Sequence, residues 1–315
     1  MSLTPAPLFT GIYPGPDTGL AHWIETSDGK RLRVAHWTVE GAKGTVLLFP
    51  GRTEYVEKYG VIAAEFAKRG LAVMAIDWRG QGLADRMLPD RRIGYVDTFS
   101  DYQKDVAAMM RAARNLQLPR PFFLLAHSMG GCIGLRAVME GLSVQAAAFT
   151  GPMWGIHIAP HLRPFAAVLS HLMPKIGQGH SLPMGTKLDP YVTVEPFEDN
   201  MLTTDASMYD MMRDQLAAHP DLSLGGPSYV WLREALSETN HLALRAAPSL
   251  PCITLLGSNE RIVHLGRIRD RMATWTSGQL QIVEGAEHEI LMETPKLRDS
   301  ALDDIARLFL GNAKS

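Results

Sequence analysis

Ser128 closes an apolar run, Phe122-Phe-Leu-Leu-Ala-His, and is followed by Met129-Gly-Gly-Cys-Ile-Gly134. A serine on such a strand-to-helix turn has its hydroxyl lifted above the sheet edge. Small neighbours are needed because the turn is strained and the two backbones approach closely. That hydroxyl becomes a nucleophile once a base accepts its proton. The candidate base is His288, in Glu284-Gly-Ala-Glu-His-Glu-Ile-Leu291, a loop that follows the last strand-like run and can fold back over Ser128. The candidate acid is Glu260, in Cys252-Ile-Thr-Leu-Leu-Gly-Ser-Asn-Glu-Arg-Ile-Val263 after the preceding strand-like run, where a carboxylate would orient the imidazole. Its bland alternative is a surface pair with Arg261. The fourth part is an oxyanion hole built from the backbone N–H of Met129 and that of Arg52, the latter in the turn Pro50-Gly51-Arg52 after Thr45–Phe49. Together these residues point to acyl transfer through a serine ester.

Other chemistry-bearing residues read differently. Asp77, Arg79 and Asp85 in Ile76-Asp-Trp-Arg-Gly-Gln-Gly-Leu-Ala-Asp85 are expected to brace the serine turn by hydrogen bonds. The five histidines from His157 to His219 contain no His-Glu-x-x-His, and Pro160 interrupts His157/His161, so no metal is expected. No strand-linked Gly-x-Gly-x-x-Gly or Walker lysine is present, which sets the serine turn apart from a nucleotide loop.

These side chains must be positioned by alternating strands and helices. Strands are predicted at Arg31–Trp37, Thr45–Phe49, Leu71–Ile76, Phe122–Ala126, Ala146–Thr150, Cys252–Leu256 and Gln279–Val283. Most of the later ones are near-continuous apolar runs, as parallel strands covered on both faces require. Helices are predicted at Val56–Arg69, Phe99–Asn115, Gly130–Gly141, Leu265–Trp275 and Leu297–Leu310. The alternation predicts an α/β fold with a mostly parallel, doubly wound sheet flanked by helices. It stops between Gly151 and Leu244, a span broken early by Pro152, Pro160, Pro164, Pro174 and Pro183 and amphipathic later at Ser207–Ala218 and Tyr229–Leu236. An inserted helical cap explains the break, giving residues 1–150 and 245–315 to the core and 151–244 to the cap. The cap holds seven of the sixteen methionines: Met153, Met173, Met184, Met201, Met208, Met211 and Met212.

Composition bounds the function. The chain has 315 residues, 46% hydrophobic and 20% charged, with a formal net charge of -2, which offers no electrostatic attraction to nucleic acid or anionic lipid. No apolar run reaches the roughly 18 residues of a membrane span, and no secretory signal is expected at the N-terminus. Cys132 and Cys252 sit among apolar neighbours and read as buried thiols. A cytoplasmic protein without cofactors is expected.

The chain resembles the bacterial lysophospholipase and monoacylglycerol-lipase-like branch of the α/β-hydrolases. The matching stretches are Phe49-Pro-Gly-Arg-Thr-Glu-Tyr-Val-Glu-Lys-Tyr59, Ile76–Gly82, His127–Gly131, Asn200-Met-Leu-Thr-Thr-Asp205, Gly226-Pro-Ser-Tyr-Val-Trp-Leu232 and Gly285–Leu291. The resemblance implies an α/β-hydrolase fold and a triad of Ser128, Glu260 and His288. It further implies an apolar cap pocket for an acyl chain, a small-molecule or lipid ester as substrate, and transient membrane contact through the cap. The chain departs from the family at Ala126, where the usual motif has glycine, at Pro50-Gly51, where His-Gly is common, and at Glu260, where Asp is usual. Rival readings are other chemistry of the same fold (C–C hydrolysis, a peroxidase-type reaction, acyl transfer to an alcohol) and a non-catalytic binding protein.

Overall fold

The computed structural model describes residues 3–159 and 161–313. Its sheet has nine strands: β1 (Thr4–Ala6), β2 (Leu20–Glu25), β3 (Arg31–Trp37), β4 (Thr45–Phe49), β5 (Ala72–Asp77), β6 (Phe122–His127), β7 (Ala147–Thr150), β8 (Cys252–Gly257) and β9 (Gly278–Val283). Their spatial order is β1-β2-β3-β5-β4-β6-β7-β8-β9. β1, β2, β3 and β5 pair antiparallel, and from β5 through β9 all pairing is parallel.

The central strands alternate between two cores. Leu47, Phe49, Leu124, Ala126 and Phe149 pack with α2 (Tyr102–Asn115), α3 (Met129–Met139) and α8 (Leu265–Ala273). Val46, Leu48, Phe123, Leu125 and Ala148 pack on the other face with α1 (Gly60–Lys68) and α9 (Pro295–Gly311). Both faces being covered is why these strands are apolar at every position. Because the pairing is parallel, the carboxyl ends of β4, β6, β7, β8 and β9 share one edge of the sheet, where the site of such folds lies.

Between β7 and β8 the chain leaves the sheet for α4 (Arg163–Lys175), α5 (Tyr191–Val194), α6 (Ala206–Ala218) and α7 (Tyr229–Ala243). Asp205 caps α6, its carboxylate accepting from Ser207 and Met208 N–H, and Ser228 caps α7 through Trp231 N–H.

Seven predicted strands and five predicted core helices are present; Arg31–Trp37 and Thr45–Phe49 match end to end, and the other ends move by at most four residues. The stretch predicted to be helical from Val56 opens as a 3₁₀ turn, Val56–Tyr59, before α1, and the one from Phe99 does the same before α2. β1, β2, α4 and α5 lie outside the sequence expectation. Strand β2 is short, mixed in polarity (Leu-Ala-His-Trp-Ile-Glu), and held by its pairing with β3 rather than by its own pattern. α4 carries its apolar residues outward, so it lacks the core-facing signature that identifies the other helices.

Candidate active site

Ser128 is the residue between β6 and α3, with φ 50° and ψ -117°. A non-glycine residue there stores roughly 1–3 kcal/mol of strain, held by the surrounding bonds. Ser128 N–H donates to the Thr150 carbonyl at 3.1 Å, and the Ser128 carbonyl accepts from Gly131 and Met153 N–H, each at 2.8 Å. Gly130 is required by close approach, because a Cβ there would drive into the Phe49 and Pro50 carbonyl oxygens. Ala126 is completely buried in the same packing, so a methyl is accommodated where the family motif has glycine.

His288 lies in the loop after β9. Its Nε2 is 2.9 Å from Ser128 Oγ, and its Nδ1 is 2.6 Å from Glu260 Oε2. The other Glu260 oxygen accepts from Ile262 N–H at 2.7 Å and Val263 N–H at 3.1 Å. Arg261 points away, to Asp199 Oδ1 at 2.9 Å and the Asn200 carbonyl at 2.7 Å. The anticipated Glu260–Arg261 alternative is therefore not what forms. Burial pushes the Glu260 carboxyl up, but His288 and the two backbone donors outweigh it and hold it below its ordinary value. For His288 burial favours the neutral ring, yet the charges of Glu260, Glu289 and Glu54 raise its pKa above 6.5.

Three further contacts fix the imidazole. The segment between β7 and β8 supplies two of them: His288 N–H donates to the Met201 carbonyl at 3.3 Å and Glu289 N–H to the Leu202 carbonyl at 2.7 Å. The third is Gly151, at φ 48°, where a Cβ would stand 2.9 Å from His288 Nδ1. A side chain at 151 would displace the ring.

The turn Pro50–Arg52 faces the serine, since a Cβ on Gly51 would lie 3.1 Å from Ser128 Cβ. Among the described residues the backbone N–H groups of Arg52 and Met129 have no protein acceptor, and both residues line the cavity above Ser128. Gly51 N–H is taken by the Glu54 carboxylate. The loop after β5 braces this turn rather than the serine itself. Trp78 Nε1 donates to the Pro50 carbonyl at 2.9 Å and Gln81 Nε2 to the Gly51 carbonyl at 2.8 Å. Asp77 accepts from Arg33, Val56 N–H and Leu83 N–H, and Arg79 pairs with Asp105 and Asp28.

Sequence reasoning assigned no role to a buried polar cluster behind the site. Lys58 Nζ bridges Glu54 and Glu289, Tyr59 donates to Glu54 at 2.6 Å, and the His127 ring lies 4.8 Å from that of His288. The Glu54, His127 and Glu289 ligand atoms are close enough to hold a cation, but the Lys58 ammonium already bonds both carboxylates. His127 bonds the Thr150 carbonyl through Nδ1 at 2.9 Å, and burial, partly opposed by Glu54, depresses its pKa to about 3, so it is neutral. The signal that could have found the cluster is Glu54-x-x-x-Lys58, opposite charges spaced one helical turn apart.

Above Ser128 and His288 lies a cavity of about 340 Å³. Its walls include Met153, Ile156, Met212, Leu216, Trp231 and Val263, so the inserted helices and the sheet edge enclose it together. The methionines between β7 and β8 thus split between the cavity (Met153, Met201, Met212) and elsewhere, Met184 being 89% exposed.

A mixed, largely parallel sheet with a strained serine turn at its carboxyl edge and an apolar cavity above it defines an α/β-hydrolase. The chain belongs to the Hydrolase_4 family, described as serine aminopeptidase, S33, whose model matches residues 40–295. It is 32% identical over 276 residues to lysophospholipase L2 of Escherichia coli (strain K12), covering 84% of this chain and 79% of that protein. To monoacylglycerol lipase of Mycolicibacterium smegmatis it is 26% identical over 289 residues, 88% and 92% of the two chains. A crystal structure of a soluble variant of monoglyceride lipase from Saccharomyces cerevisiae, in complex with a substrate analog, matches with TM-score 0.72 at 21% identity, covering 98% of this chain and 99% of that one. The monoacylglycerol lipase of Paleococcus ferrophilus matches with TM-score 0.68 at 18% identity, 89% and 99% covered. At such identities the structures establish the fold, while the family match establishes a hydrolase.

Proposed function

We propose that the protein hydrolyses carboxylic esters of lipids, lysophospholipids or monoacylglycerols, with Ser128, His288 and Glu260 as its catalytic triad. The observation that carries this is the unbroken chain Ser128 Oγ–His288 Nε2, His288 Nδ1–Glu260 Oε2, opening into an apolar cavity. His288 takes the Ser128 proton as Oγ bonds to the ester carbonyl carbon. The carbonyl π electrons move to oxygen, and the Arg52 and Met129 N–H groups stabilise that oxyanion. Collapse breaks the C–O bond to the alcohol, which leaves with the proton from His288. Water then adds to the acyl-enzyme by the same route and releases the acid and Ser128. Glu260 holds the Nδ1 proton so that Nε2 is the free base. Flexible thioethers in the wall suit an acyl chain, and the relatives named as lipases and lysophospholipases support a lipid ester. We read residues 151–244 as the cap of this site. The free, buried Cys132 and Cys252 are compatible with a reducing cytoplasm, the compartment we assign. A series of palmitoyl, octanoyl and acetyl esters of glycerol tests the substrate class: kcat/KM rises with chain length. A preference for acetyl would overturn the lipid reading.

The same proposal includes contact with lipid surfaces. No helix among the described residues is long and apolar enough to cross a membrane. On α4 and its flanks, however, Leu162, Phe165, Val168, Leu172 and Ile176 recur at helical spacing and are 46–66% exposed. An exposed apolar stripe of this kind suits a helix lying in the headgroup plane. Replacing Phe165 and Val168 by Asp is expected to lower co-sedimentation with phospholipid vesicles at least fivefold. Unchanged sedimentation would leave the stripe without this role.

A further inference from the structure

The backbone of Arg52 has been given a role above; its side chain has none. The side chain runs along the cavity wall, where Nη1 donates to the Gly225 carbonyl at 2.6 Å and the guanidinium carbon sits 5.6 Å from the centre of a Trp231 ring. A guanidinium carries five N–H donors; one reaches the Gly225 carbonyl, and no acceptor among the described residues takes the others. Arg52 has no carboxylate partner among the described residues, unlike Lys58, the cavity's other basic side chain, which is clamped between Glu54 and Glu289. The Tyr102 phenol, which influences the guanidinium, is pushed up by burial and carries no charge at neutral pH. Burial lowers the Arg52 guanidinium to about 10, with Tyr102 opposing, so it stays charged. A desolvated cation without a counter-ion is costly, and the open donors are arranged in a fork that fits a phosphate or carboxylate.

We propose that the Arg52 side chain binds the phosphate of a lysophospholipid, and so directs the enzyme toward phosphate-bearing glycerol esters over neutral ones. Geometry allows it. Arg52 follows Gly51, which abuts Ser128, and in a 1-acyl lysophospholipid the phosphate is one glycerol unit away from the carbonyl under attack. A neutral monoacylglycerol offers only hydroxyls there and leaves the guanidinium without its counter-charge. The inference rests on the ester-hydrolase reading and refines its substrate.

The test compares 1-palmitoyl lysophosphatidylcholine with 1-palmitoylglycerol in the full-length protein. Wild-type kcat/KM should favour the lysophospholipid. Arg52→Met should lower the lysophospholipid-to-monoacylglycerol ratio about tenfold or more, the scale of losing charge-assisted hydrogen bonds, and Arg52→Lys should restore part of it. If Arg52→Met lowers both substrates alike, the side chain only ties the turn to Gly225 and the proposal fails. A second measurement needs no variant: sn-glycerol 3-phosphate should compete with substrate in the wild type far better than glycerol. Equal inhibition by the two would overturn the proposal even if the variants did not fold. Failure of the wild type to cleave either lipid would instead sink the ester-hydrolase reading, which is a separate result.

Discussion

Ser128→Ala is expected to lower kcat for ester hydrolysis about a million-fold, the scale seen when a triad nucleophile is removed. The loss is this large because the parts act as a unit. Without Oγ no acyl-enzyme forms, and His288 Nε2 loses its only proton donor at 2.9 Å. What survives is the oxyanion site and the cavity, worth a residual ~10³–10⁴ over water. Stability should barely change. Alanine takes the same backbone conformation at φ 50° with the same strain, and the bonds that hold the turn use the Ser128 backbone, not its hydroxyl. The readout is paired: turnover, and covalent labelling by a fluorophosphonate followed by mass spectrometry. Wild type labels on Ser128, and the variant does not. A variant that folds and still turns over within tenfold of wild type would put the nucleophile elsewhere.

The second large effect belongs to Glu260→Gln, expected to cost about ten-thousand-fold in kcat, as when a triad carboxylate becomes an amide. The reason is the two N–H groups of Ile262 and Val263, which require an acceptor. The glutamine carbonyl takes that place, which turns its NH₂ toward His288 Nδ1. Nδ1 must then accept, the ring proton moves to Nε2, and the nitrogen facing Ser128 can no longer take a proton. A pH signature goes with it. In the wild type the raised His288 pKa means the base is protonated, and activity lost, as pH falls through a midpoint above 6.5. Removing the carboxylate leaves burial, which favours the neutral ring, opposed only by Glu289 and Glu54, so the variant's acid limb moves to lower pH while its plateau falls. The measurement is kcat/KM against pH for both proteins. A near-normal plateau, or a limb that stays where it was, would assign the orienting acid to another group.

Much of this site was legible in the chain because each part has a local cause. Ser128 is marked by the apolar strand before it and the glycine pair after it, and the glycines are demanded by the close approach to Phe49 and Pro50. His288 and Glu260 are marked by their places after the last two parallel strands, since loops at those ends must come to one edge of the sheet. Glu260, standing where Asp is usual, was the least secure part of the reading from sequence; the structure shows its second oxygen taken by the N–H groups of Ile262 and Val263. β1 and β2 were not legible: Thr4–Ala6 and Leu20–Glu25 are strands through pairing, β1 with β2 and β2 with β3, rather than through an alternating pattern of their own. Nor was α4, whose apolar side faces outward and so mimics neither a buried nor a solvated helix.

Three things are determined by the sequence alone: the alternation that makes a doubly wound sheet, the strained serine turn, and the order Ser128, Glu260, His288. All follow from local spacing and from the apolar content of parallel strands. The tertiary structure decided which way the charged side chains turn. Glu260 faces His288 rather than Arg261, Lys58 is locked between Glu54 and Glu289, and Arg52 is left in the cavity wall with no acid beside it. Those choices depend on which groups, far apart in the chain, are desolvated together, because the free energy of a buried charge is set by its neighbours in space.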